Sequence, residues 1–210
     1  MTGAAHMRAL LLAAVALSAF AQPKIENAKL DTKAVSGSLD STFRPLVSSS
    51  LSPAWIGYSV AQTAGERSMC GTVSLEGARE FVMFYRVAAG QVEKIRTYAI
   101  DCTFDAGDLP VHWLTGVDGA QSAALLSTFI PAADPNADQR GPRDTAQETA
   151  RQLANSALSA IARHQDGAPA LIELARRPMI SKQMKQEAFR WLGRSKDPRA
   201  IKFFDEILAR

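Results

Sequence analysis

Three aspartates and a histidine lie close together in this chain: Asp101, Asp105, Asp108 and His112. Carboxylates beside an imidazole can hold a divalent metal or move protons during hydrolysis. A hydrolase or metal-dependent enzyme would keep its site here. The spacing matches no ligand set, and Asp with Gly is also what turns are made from. Cys102 and His112 would form a nucleophilic thiol–imidazole pair only if the thiol were free. A second acidic stretch, Asp134-Pro135-Asn136-Ala137-Asp138, alternates oxygen ligands as a calcium loop does. Gln139 stands at its sixth position, which needs glycine, and Thr145 at its twelfth, which needs a bidentate glutamate. Both stretches read as turn or linker. No catalytic, cofactor-binding or metal-ligating residue is assigned, no cofactor is expected, and the chain does not read as an enzyme.

The chain has 210 residues, 47 % of them hydrophobic and 21 % charged. That is an ordinary globular mix, which excludes a disordered chain and a disulfide-dense miniature protein. Its two cysteines, Cys70 and Cys102, are too few for a four-thiolate zinc site. Arg8 precedes the apolar run Leu10 to Phe20, and Ala19-Phe20-Ala21 fits a signal-peptidase site, so residues 1–21 read as a signal peptide. The cut falls after Ala21, and Gln22 rather than cysteine follows, which does not fit lipid attachment. The run is shorter than the ~20 residues that span a bilayer, and no later stretch is longer. A secreted or periplasmic location follows. There, Cys70 and Cys102 are expected to form a disulfide worth about 3 kcal/mol in the chain-entropy model. A plain strand meander would hold the two residues ~26 Å apart, beyond the ~7 Å a bond allows. Strand order and disulfide therefore conflict.

Residues 22–52 are polar and weakly periodic and read as a flexible arm. Strands are expected at Trp55 to Val60, Cys70 to Leu75, Phe81 to Val87, Val92 to Ile100 and Val111 to Leu114, with turns at Gly77 and Gly90. Along Val92 to Ile100, alternation puts Val92 with Lys94, Arg96 and Tyr98 on one face. Ile95, Thr97 and Ala99 fall on the other, so the sheet is expected to be half covered. Gln121 to Ile130 is a helix that packs on it. Residues 53–131 thus read as a small antiparallel α+β domain, and 132–143 as a linker.

Four short helices are expected in residues 144–210: Asp144 to His164, Ala168 to Arg177, Ser181 to Gly193 and Asp197 to Arg210. At an offset of 31, Ala157-Leu158 matches Ala188-Phe189, Ile161 matches Leu192, and Asp166 matches Asp197. At 30, Ala170-Leu171 matches Ala200-Ile201 and Leu174 matches Phe204. The pattern carried by Ala188, Phe189, Leu192, Gly193, Asp197, Pro198, Ala200, Ile201 and Phe204 resembles HEAT-like repeats. That resemblance covers only the C-terminal third, and the first unit has Asp166-Gly167 in place of Asp-Pro. It implies a short α-helical solenoid whose layered surface binds proteins. Of the adjacent Phe203 and Phe204, one should face the core.

Charge is uneven along the chain. Residues 22–140 carry ten Lys/Arg against thirteen Asp/Glu, and residues 141–210 carry thirteen against eight. Arg176, Arg177, Lys182, Lys185, Arg190 and Arg194 are the candidate protein-binding residues, suited to an acidic partner. Nucleic acid does not fit an exported chain. The expected function is an exported, non-enzymatic protein-interaction or adaptor module. The alternative is a hydrolase or metal-dependent enzyme using the Asp101–His112 loop.

Overall fold

In the computed structural model, the described residues are 23–63, 70, 79–133 and 144–209. The expected signal peptide, the calcium-like stretch, the Gly77 turn and all but Cys70 of the expected strand Cys70 to Leu75 lie outside them. Among the described residues, seven strands and six helices follow in chain order: β1 Lys24–Glu26, β2 Lys29–Ala34, α1 Leu39–Ser49, β3 Ala54–Ala61, β4 Glu80–Ala88, β5 Gln91–Ala99, β6 Thr103–Asp105, β7 Pro110–Thr115, α2 Gly119–Ser127, α3 Thr145–Arg163, α4 Gly167–Arg176, α5 Lys182–Arg194 and α6 Pro198–Leu208.

The polar stretch 22–52 is not an arm. It supplies β1, β2 and α1. Ser38 caps α1 by accepting a hydrogen bond from the Ser41 amide. Leu39 and Phe43 are buried, and the Phe43 ring meets Tyr85 edge-on at 4.8 Å. The segment β2–α1–β3 also changes the sheet. The five-stranded sheet runs β2-β7-β3-β4-β5, with β7 parallel to both β2 and β3, and β4 antiparallel to β3 and β5. It is therefore mixed, not antiparallel, because β2 and β3 are joined through a helix and β7 enters between them. The short strands β1 and β6 pair in parallel as a separate ribbon.

The β4–β5 hairpin turns at Ala89-Gly90, where φ is +50° and +72°. Glycine takes such a φ without strain. Three residues later the ladder slips: Val87 pairs with Val92 but Arg86 with Lys94, leaving Glu93 as the extra residue of a β-bulge. The slip reverses the facing of one strand segment. Val92 therefore sits with Val87 and Ile95 on the helix side, while Lys94, Arg96 and Tyr98 point to the other.

Both faces of the sheet carry apolar cover, which corrects the half-covered expectation. One core joins Ile56, Tyr58, Phe81, Met83, Tyr85 and Leu114 to all six helices. A smaller one on the opposite face gathers Val82, Phe84, Ala106, Val111 and Trp113, with Trp55, Ile25 and Phe104 against it. Gly57 makes the second core possible. A β-carbon there would stand 2.7 Å from the Phe84 ring and 3.0 Å from Trp113.

The four C-terminal helices lie where the periodicity puts them. Asp144, Ser181 and Asp197 cap α3, α5 and α6, and Pro198 occupies the first turn of α6. Helix α3 packs on α4 and α5, α4 on α5 and α6, and α5 on α6, while α2 meets α3 and α4. Phe203 is buried and Phe204 half-buried beside Phe189. Among the described residues no helix is long and apolar enough to cross a membrane.

Candidate functional site

Cys70 and Cys102 are bonded, with 5.5 Å between their α-carbons. The conflict with strand order disappears because Cys70 belongs to no strand and lies in the β3–β4 connection. Cys102 follows β5 and is almost fully buried. The bond consumes the thiol that the Cys102–His112 pair would have needed.

The Asp101–His112 residues do not converge. Asp101 lies in the turn after β5, and Asp108 in a turn at φ +61°. The Asp105 carboxylate accepts hydrogen bonds from the Gly107 amide and Asn27, which hold its pKa below the usual carboxylate value. His112 sits opposite Asp31 across the β2–β7 pair, its Nδ1 3.2 Å from the carboxylate. Among the described residues, no group of three or more His, Cys, Asp or Glu side chains is placed to hold a metal ion.

A serine and a histidine that sequence reading passed over do meet. Ser122 Oγ and His164 Nε2 are 2.8 Å apart, and the serine also lies 2.8 Å from the Tyr58 hydroxyl, itself 2.7 Å from that of Tyr85. The Ala160 carbonyl, 2.8 Å from Nδ1, can only accept, so Nδ1 carries the proton. Direction then propagates: Tyr85 donates to Tyr58, Tyr58 to Ser122, and Ser122 to Nε2. All four side chains are at most 2 % exposed. Burial lowers the His164 pKa to about 4, with Arg163 adding repulsion, and raises that of Tyr58 to about 12. No substrate reaches this pair, so it is a polar seam of the core. Only contact across long sequence separations, invisible to motif spacing, brings it together.

The basic residues of the helical half divide on inspection. Arg176 bonds Glu206 at 2.8 Å and lies over the Phe203 ring. Arg190 bonds Glu187, Arg177 reaches the Ile130 carbonyl, and Arg194 lies over Trp191. Lys182 and Lys185 have no acidic partner among the described residues.

A concavity lies on the sheet face away from the helices. It is an open recess of about 570 Å³. Phe84 forms its floor, with Trp55 at 6.1 Å and Phe104 at 4.9 Å between ring centres, and Tyr98 lies 5.3 Å beyond Phe104. Arg86, Lys94 and Arg96 line it from β4 and β5, and the disulfide lies at its wall. Arg86 is paired with Glu93. The sequence signal was the alternation of Lys94, Arg96 and Tyr98, but the bulge that aims them cannot be read from periodicity. Comparison with protein-family models, curated proteins and solved structures finds no match to this chain.

Proposed function

We propose that this chain is an exported, non-catalytic binding module that docks a protein partner on the end of a HEAT-like helical stack. The carrying observation is a pair of repeat-equivalent positions with opposite burial. Leu171 in α4 is 3 % exposed, whereas Ile201, thirty residues on in α6, is 59 % exposed. Leu174 is fully buried and its counterpart Phe204 only half-buried. Stacked repeats bury such positions against the next layer, and no described element covers those on α6. Ile207 and Leu208 extend the same apolar exposure. The mutual packing of α3 to α6 fits two antiparallel pairs. The N-terminal segment and the disulfide both suit an oxidising compartment outside the cytoplasm.

The test uses chain beginning at Gln22 as bait in an envelope extract, beside a Lys182→Glu, Lys185→Glu variant and an Ile201→Asp, Leu208→Asp variant. Reversing Arg176 instead would break its pair with Glu206 and confound binding with folding. A partner held by wild type, lost by either variant, and cross-linking to α5 or α6 is the expected result. A partner retained equally by all three, or none at all, rejects the reading.

A further inference from the structure

The recess on the opposite sheet face has the chemistry of a small-molecule site. Its volume, about 570 Å³, falls within the ~300–1,000 Å³ typical of ligand pockets. The strand register decides what faces it. Phe84 pairs with Arg96, Arg86 with Lys94 and Val82 with Tyr98, so the aromatic floor has Arg96 directly opposite it and Lys94 at the next pair on the same face. Arg86 is compensated by Glu93, and Asp105 is engaged by Gly107 and Asn27. Lys94 and Arg96 have no acidic partner among the described residues. Two cations without an acidic partner among the described residues, beside aromatic ring surface, favour a ligand that is both flat and negatively charged. The rings take its planar body by stacking or edge contact, and the guanidinium takes a carboxylate or phosphate through paired hydrogen bonds.

We infer that this recess binds a small planar aromatic anion, with Lys94 and Arg96 holding the acid group and Trp55, Phe84 and Tyr98 contacting the ring. The site lies across the sheet from α6, so it stands or falls separately from the protein-docking surface. The test titrates the full, oxidised chain with 2-naphthoate, 2-naphthyl phosphate and 2-naphthylmethylamine by calorimetry, while following the Trp55 indole N–H by NMR. The expected result is saturable binding of at least one anion with movement of that resonance, the tighter of the two naming the acid group. The amine should bind at least tenfold more weakly. A Lys94→Gln, Arg96→Gln variant, checked for its fold by circular dichroism, should bind the anion at least tenfold more weakly. Equal affinity for the amine, no saturable binding of either anion, or an unchanged affinity in the variant overturns the inference.

Discussion

His164 is the side chain whose environment makes the sharpest demand at the residue scale. The seam accepts only the neutral imidazole, because Nε2 must receive the Ser122 hydroxyl and Nδ1 must donate to Ala160. Its pKa falls from 6.5 to about 4. Above pH 6.5 both folded and unfolded chains hold it neutral and the seam is undisturbed. Between 6.5 and 4 the unfolded chain takes up the proton and the folded one does not, so stability is lost as pH falls. From pH 7 to pH 5 this one group should cost about 2 kcal/mol. Urea unfolding at the two pH values should show a smaller drop for His164→Gln than for wild type. Equal drops would remove the imidazole as the cause. None of this was legible in the sequence. Tyr58, Tyr85, Ser122 and His164 come from β3, β4, α2 and the end of α3, and nothing in their spacing links them.

At the scale of elements, strong periodicity was easy to read and weak periodicity was not. The caps Asp144, Ser181 and Asp197, the dense apolar run of β4 and the helix α2 all emerge where local pattern and tertiary demand agree. The failures have particular causes. Strand β2 is exposed along its whole length, so it shows no alternation, and α1 carries serines and Pro45 in its body. The β5 bulge hid the facing of Val92, because one extra residue shifts a period of two by half a cycle. It also makes a counter-intuitive prediction. Deleting Glu93 removes the extra residue and leaves Val92 and Lys94 as regular neighbours, so the variant should fold at a cost of about 1 kcal/mol, the scale of the lost ion pair with Arg86. Deleting Thr97 from the regular part of the ladder should drive Tyr98 and Ala99 to the wrong faces and abolish cooperative melting. Comparable melting of the two variants would show that the register is not fixed here.

The whole molecule is a sheet with unequal cover, a large helical core on one side and a small aromatic one on the other. The disulfide ties the β3–β4 connection to the smaller side, across a separation of 32 residues. Its removal should cost about 3 kcal/mol, or roughly 10 °C in melting temperature for a chain of this size. A thermal melt with and without reductant, repeated on Cys70→Ser, Cys102→Ser, measures this. An unchanged melting temperature would mean that the bond contributes nothing to the folded state. The bond was expected from cysteine count and compartment. Its compatibility with the strands was not, because that depends on Cys70 lying outside the ladder.

The position of β7 has a further consequence, in time rather than in space. It lies between β2 and β3, yet it is made after β4, β5 and β6. A chain emerging from a ribosome or a translocation pore therefore holds a vacant slot one strand in from the edge of its sheet until residue 115 is clear. During that interval β2 and β3 offer unpaired backbone to any extended neighbour. The order of synthesis thus makes the half-emerged chain its most adhesive form, and the arrival of one six-residue strand ends that state.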